Sequence, residues 1–142
     1  MNLDELPTPS LILDRNCLQR NAEAMTARLK GHGVALRPHM KTAKSIEVAR
    51  LALAGNFGGI TVSTLEEARY FARNGITDIV YGVGIVPAKL DFLAEIQGKI
   101  GENALISVIL DNPGVARNVA ARAQALGSSF EVLIELDCGG DR

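Results

Sequence analysis

Excess charge of either sign, long apolar runs and cysteines are all scarce in this sequence. Its 142 residues carry a formal net charge of −1, which gives no field strong enough to attract nucleic acid or a membrane surface. No apolar stretch is long enough to span a bilayer, and the first residues lack the pattern of a secretory signal peptide. We therefore expect no nucleic-acid partner, no membrane partner and a cytoplasmic location.

The two cysteines, Cys17 and Cys138, lie far apart in the sequence and form no metal-ligand pair. In a cytosolic chain, two lone cysteines are expected to be reduced core residues rather than a disulfide. Aromatic residues are also few, whereas the 14 glycines indicate many tight turns between strands and helices.

What the sequence does contain is a stretch at residues 34–45 around which the rest is organised. The apolar run Val34–Leu36 leads directly into Arg37, His39 and Lys41. This pattern predicts a short buried strand that ends in a basic loop, with the three cations on one side because side chains alternate along a strand. Crowded cations lower the pKa of a lysine and free its amine to attack carbonyls. The residues alone leave two interpretations open, a Schiff-base lysine at Lys41 or a solvated basic loop.

Predicted strands and helices alternate along the whole chain. After a leading strand at Leu11–Leu13, barrel-type strands begin near residues 34, 59, 78, 105 and 130. The predicted helices are 15–30, 45–54, 64–74, 87–96 and 113–127. The strands are continuous apolar runs, as expected of a parallel sheet buried on both faces. Two α/β architectures fit: an open doubly wound parallel sheet, which five strands can complete, and a (β/α)8 TIM barrel, which needs at least about 200 residues. Length alone favours the open sheet.

Five groups of residues carry a resemblance to a known family: Thr8–Asp14; Leu36–Thr42; Gly59–Thr64 with Glu67–Ala68; Asp78–Ile79; and Glu135–Asp137 with Arg142. In order and spacing they resemble the N-terminal part of the D-threonine aldolase and D-serine dehydratase family, including its D-threo-3-hydroxyaspartate dehydratases. The Arg-Pro-His-x-Lys run is the specific signal. The resemblance implies a fold-type III pyridoxal 5′-phosphate enzyme, an alanine-racemase-like (β/α)8 TIM barrel with a C-terminal β domain. Lys41 matches the family's cofactor lysine at the end of the first barrel strand.

The same resemblance implies roles for five residues. Lys41 would be the Schiff-base lysine and then a base on the substrate's α-hydrogen. Arg37 would shape the environment of the cofactor, and His39 is either a catalytic group or a satisfied polar residue. Arg142 either contacts the cofactor's phenolic oxygen, oriented by a nearby carboxylate, or is a surface arginine. Tyr81 either contacts the cofactor or fills the barrel.

Two departures from the family pattern bear on function. Many members carry a histidine where this chain has Ala43, which favours a dehydratase over an aldolase. Members are also more than twice as long, and their divalent-metal ligands (for zinc or manganese) lie C-terminal to anything in this sequence. We therefore expect residues 1–14 to pair with a β domain outside this segment, and residues 15–142 to be the first five βα units of the barrel, inactive alone.

The function implied is that of a pyridoxal-phosphate-dependent lyase acting on D-3-hydroxy amino acids, by water elimination or retro-aldol cleavage, in a homodimer. The alternatives are a non-catalytic pyridoxal-phosphate carrier or an amino-acid racemase of the same fold type. Thr8–Asp14 favours the enzyme over the carrier, because small carriers lack the leading strand.

Overall fold

The computed structural model describes residues 2–101 and 104–140. Helices and strands alternate as predicted from residue 46 onward. The helices are α1 (Arg15–Gly31), α2 (Ile46–Leu53), α3 (Leu65–Arg73), α4 (Leu90–Ile100) and α5 (Pro113–Leu126), and the strands are β1 (Ile60–Val62), β2 (Asp78–Gly84), β3 (Leu105–Leu110) and β4 (Glu131–Ile134). Short 3₁₀ helices occupy Leu3–Glu5 and Pro87–Lys89.

The four strands form one parallel sheet whose spatial order, β1-β2-β3-β4, equals their order in the sequence. Crossovers between parallel strands are right-handed, so a strictly sequential order puts every connecting helix on the same face of the sheet. A doubly wound sheet reverses its strand order and has helices on both faces. The open doubly wound alternative is therefore wrong, and the winding is that of a (β/α) barrel.

The core lies between the sheet and its helices. Alternate residues of the strands point into this layer and are almost completely buried, as their period of two requires. They are Ile60, Val62, Ile79, Tyr81, Ile106, Val108 and Leu110. Helices supply Leu65, Ala68, Phe71, Leu90, Leu93 and Ile96 from the other side. This packing fixes which residues of each strand face the opposite side of the sheet.

Two predicted strands are absent from the described chain. Val34–Leu36 is not a strand, and Val34 is 52% exposed rather than buried. Only a single parallel bridge, between His39 and Thr61, joins the following residues to β1. The physical reason is that this segment has a sheet neighbour on one side only, and Pro38 has no N–H to donate. Leu11–Leu13 likewise finds no strand partner among the described residues and is exposed, so its pairing with a β domain stays a prediction.

Helix starts follow the capping chemistry that the sequence indicates. Asp14 accepts the backbone N–H of Cys17 at the start of α1, at 2.8 Å. Asn112 accepts the N–H of Gly114 at the start of α5, at 2.6 Å. Each side chain pairs an N–H that the helix itself leaves without an acceptor. The caps therefore fix where the loops at the carboxyl ends of the strands give way to helices.

Both cysteines are free thiols, as predicted. Their expected place in the core is wrong: Cys17 is half-buried on α1, and Cys138 is exposed beyond β4.

Candidate active site at the carboxyl end of the sheet

The residues at the start of the turn that carries Lys41 are hydrogen-bonded to β1. The N–H of Met40 donates to the carbonyl of Thr61 at 2.8 Å, and the N–H of Thr61 donates to the carbonyl of Pro38 at 2.9 Å. The Met40 side chain is 3% exposed, so this attachment is also packed. The N–H of Lys44 then donates to the carbonyl of Met40 at 3.0 Å and closes the turn. Lys41 is exposed within it, beyond the carboxyl end of the segment, where barrel enzymes place their chemistry.

The ring of His39 lies next to the backbone of Lys41. The backbone N–H of Lys41 donates to Nδ1 of His39 at 3.2 Å. An Nδ1 that accepts a hydrogen bond is unprotonated, so the neutral ring carries its proton on Nε2. Nε2 lies 3.5 Å from Oγ of Ser63, a long contact at the end of β1. His39 therefore links the lysine turn to the neighbouring strand and has a defined tautomer.

A small residue on β2 leaves the Nε2 edge of His39 open. A Cβ at Gly82 would stand 2.7 Å from Cγ2 of Thr61 and 3.9 Å from Nε2 of His39. The first of these distances is shorter than any real carbon contact, so a side chain at Gly82 would force Thr61 to move. Glycine at this position thus keeps space above β1 and β2 on the side of the sheet that carries His39.

The guanidinium of Arg37 does not join this group. It forms a bidentate ion pair with the carboxylate of Asp78, with N–O distances of 2.8 and 2.9 Å. It also donates to the carbonyl of Ile60 at 3.2 Å. Ile60 and Asp78 are the first residues of β1 and β2, so this pair lies at the amino ends of the strands. The predicted crowding of three cations around Lys41 is therefore wrong for Arg37. Arg37 lies two residues before His39, which places its guanidinium at the opposite end of the short strand β1.

Tyr81 is also placed away from Lys41. Its ring is fully buried in the layer between sheet and helices, and its hydroxyl is 2.6 Å from Nζ of Lys89, which donates to it. The neighbouring Gly82 is the residue that faces His39. Tyr81 thus packs in the layer between sheet and helices, and its predicted contact with the cofactor stays a prediction.

The carboxyl ends of β3 and β4 border a separate cavity of about 450 Å³, and Lys41 is not among the residues that line it. Asp137 lines it and uses Oδ1 to accept the N–H groups of Gly139 and Gly140, at 2.9 and 3.0 Å. This carboxylate therefore holds a local turn. Arg142, its predicted partner, lies outside the described residues, so the pair stays a prediction.

Glu67 is the site residue that the sequence interpretation missed. The N–H of Glu67 donates to Oγ1 of Thr64 at 3.1 Å, which caps the start of α3. Its carboxylate is 8% exposed, accepts the N–H of Ser63 at 2.9 Å, and forms an ion pair with Nζ of Lys44 at 3.1 Å. Burial raises the pKa of Glu67, but the Ser63 N–H and the Lys44 ammonium outweigh it and hold that pKa below its ordinary value. The spacing of Thr64 and Glu67 in the sequence is that of a capping box, and such a pattern indicates only where a helix begins.

The described residues fit the lysine end of a pyridoxal cofactor. They offer an exposed primary amine at the carboxyl end of the sheet, beside an imidazole and a residue without a side chain. Among residues 2–101 and 104–140, no group of three or more histidine, cysteine or carboxylate side chains could hold a metal ion. None of the described helices is both long and apolar enough to cross a bilayer.

A sequentially wound parallel sheet, with helices connecting its strands, is the architecture of part of a (β/α) barrel. The sequence model of the family described as "Alanine racemase, N-terminal domain" matches residues 13–142. The chain therefore belongs to this family.

Two relatives and one solved structure illustrate the similarity. The chain is 39% identical over 137 residues to D-threo-3-hydroxyaspartate dehydratase of Delftia sp. (strain HT23), covering 96% of this chain and 35% of that protein. It is 40% identical over 144 residues to D-threonine aldolase of Arthrobacter sp., covering 99% and 36%. The structure of an alanine-racemase-like protein from Idiomarina loihiensis superposes with a TM-score of 0.87 at 36% identity, covering 97% of this chain and 36% of that one. The chain thus spans about a third of the length of the relatives it matches.

Proposed function

We propose that this chain is the part of a pyridoxal 5′-phosphate-dependent lyase that carries the cofactor lysine. The lyase acts on D-3-hydroxy amino acids. The observation that carries the proposal is the exposed amine of Lys41 in a turn fastened to β1 and hydrogen-bonded to His39. Dehydratases and aldolases of such substrates are among its relatives.

The roles follow from the contacts. Lys41 would be the Schiff-base lysine and, once released by the substrate amine, a base beside the substrate's α-carbon. The cofactor, when bound, supplies an electron sink for the bond that breaks at that carbon. His39 holds the Lys41 backbone through Nδ1 and keeps the proton of its neutral ring on Nε2, within reach of Ser63. Ala43 carries no polar group, which favours water elimination over retro-aldol cleavage.

The test has two parts, attachment and turnover. Borohydride treatment of the protein with pyridoxal 5′-phosphate should fix the label on Lys41, and Lys41→Ala should abolish it. A label on Lys30 or Lys89 in the unmodified protein would contradict the assignment. In the full-length protein, keto-acid release from D-threo-3-hydroxyaspartate or D-serine would indicate a dehydratase. Aldehyde release from D-threonine would indicate an aldolase, and isomerisation alone a racemase.

A divalent metal, a homodimer and a cytoplasmic location also belong to the proposal. Activity before and after chelation and zinc or manganese addition tests the metal. Sedimentation of the protein tests the dimer.

A further inference from the structure

The turn that follows the bridge between His39 and Thr61 contains two lysines. Lys41 and Lys44 lie three residues apart in it, and both are exposed. Either amine is chemically able to condense with an aldehyde. The attacking species is the neutral amine, because an ammonium has no lone pair. Something in the structure must therefore decide between them if the cofactor is to attach at one position.

The two lysines differ in their surroundings. Nζ of Lys44 forms its ion pair with the carboxylate of Glu67, which is itself almost completely buried. Nζ of Lys41 forms no ion pair with any residue in the described parts of the chain. The ion pair therefore holds the amine of Lys44 against Glu67, whereas no ion pair among the described residues ties the amine of Lys41.

The backbone of Lys44 adds a second constraint. Its φ of +48° is the only positive value among the described non-glycine residues. A lysine in this left-handed conformation is strained, and such strain persists only where surrounding contacts impose it. Here the contacts are the Lys44 N–H to the carbonyl of Met40 and the Lys44 side chain to Glu67. Because Glu67 also accepts the N–H of Ser63, the end of the lysine turn is fastened to the end of β1.

We propose that Glu67 is a positioning residue that selects Lys41 over Lys44 for cofactor attachment, by holding the Lys44 ammonium against the end of β1. This inference rests on the proposed function, since it presumes that a pyridoxal group attaches in this loop. It assigns to a helix-capping carboxylate a part in the choice of the reactive amine.

The experiment measures where pyridoxal 5′-phosphate is fixed in the protein. A lysine amine joins the aldehyde carbon and water leaves; borohydride then adds hydride to that carbon, and the nitrogen takes a proton from water. Peptide mass spectrometry gives the ratio of label on Lys44 to label on Lys41. Glu67→Gln keeps an acceptor for the Ser63 N–H but loses the charge. It should raise the ratio by about two- to fivefold, as expected for the loss of a partly exposed ion pair.

The matched control is Glu66→Gln, which removes an exposed carboxylate one residue away, paired with Arg69. It should leave the ratio unchanged. An unchanged ratio in Glu67→Gln, with the label still on Lys41, would overturn the selection by Glu67 and leave the proposed function intact. A label outside this loop in the unmodified protein would instead refute the proposed function.

A second variant covers the case in which Glu67→Gln fails to fold. In Lys41→Ala, Glu67 is intact, and Lys44 should take no more label than the exposed Lys30. Efficient labelling of Lys44 in Lys41→Ala would refute the proposal.

Discussion

Arg37 and Asp78 form a two-pronged ion pair that ties the segment before the lysine turn to the amino end of β2. Phe57 adds its ring, 5.0 Å from the guanidinium carbon. Both charged side chains keep about a third of their surface exposed, 28% and 35%. The pair is therefore a partly screened anchor at the end of the sheet opposite to Lys41.

Removal of this anchor should cost stability and leave cofactor attachment in place. We expect Arg37→Met to lower the free energy of unfolding by about 1–2 kcal/mol, after discounting for exposure. Arg37→Lys should recover only part of it, because an ammonium cannot make the two-pronged contact. Chemical denaturation gives the stability, and borohydride labelling of Lys41 gives the attachment. A loss of label at unchanged stability would show instead that Arg37 contacts the cofactor.

We expect His39 to support the labelling of Lys41 through Nδ1, which accepts the Lys41 N–H. In His39→Asn, the amide oxygen occupies the place of Nδ1 and can still accept the Lys41 N–H. In His39→Gln, the polar group sits farther out, near the place of Nε2. We expect His39→Asn to keep most of the label on Lys41 and His39→Gln to lose about fivefold in labelling rate, the size of one hydrogen bond. The reverse order of the two variants would indicate that Nε2 and Ser63 carry the function.

Thr64 should matter for stability alone. Thr64→Ala removes the oxygen that accepts the Glu67 N–H at the start of α3, and we expect a loss of about 1 kcal/mol in the free energy of unfolding. The exposed Ser129→Ala serves as the control and should change little. Labelling of Lys41 should stay at the level of the unmodified protein. A large loss of label in Thr64→Ala without a loss of stability would mean that Thr64 contacts the cofactor.

Glu67 should give the protein a pH dependence in the acid range. Its native pKa lies below its ordinary value, so the native state binds fewer protons there than the unfolded state, and stability rises with pH. The contribution is complete above the unfolded pKa of about 4.3 and is lost as pH falls through the lowered native pKa. The stability difference between the unmodified protein and Glu67→Gln should therefore be present at pH 7 and shrink in that acid window. A difference independent of pH would contradict the assignment of the charge.

Residues 1–142 expressed alone should associate and show no turnover. β4 is the outer strand of the described sheet, and Ile134 and Leu136 beside it are 74% and 75% exposed. Apolar sheet edges recruit other chains, so we expect Ile134→Lys to reduce association measured by sedimentation. Glu131→Lys, a change of charge at the polar start of the same strand, is the control. A monomeric segment 1–142 with substantial turnover would refute the prediction that activity needs residues outside this segment.

The sequence by itself determined the alternation of elements, the helix starts and the position of Lys41. Strong local causes decide these: apolar runs, capping side chains such as Asp14 and Asn112, and glycines at turns. The strand predicted to begin near residue 105 is β3, Leu105–Leu110. Val34–Leu36 does not form the predicted strand, since strand formation needs neighbours that local sequence cannot supply.

Only the tertiary structure decided the order of the strands in the sheet and the ion-pair partner of each charged residue. Strand order depends on contacts between distant segments, and length alone favoured the wrong architecture. The pairing of Arg37 with Asp78 spans 41 residues, and that of Lys44 with Glu67 joins the lysine turn to α3. Charges at such separations meet only after the sheet forms. The sequence could therefore place Lys41 in the loop before β1, whereas the fold determined that Arg37 pairs with Asp78 and Lys44 with Glu67.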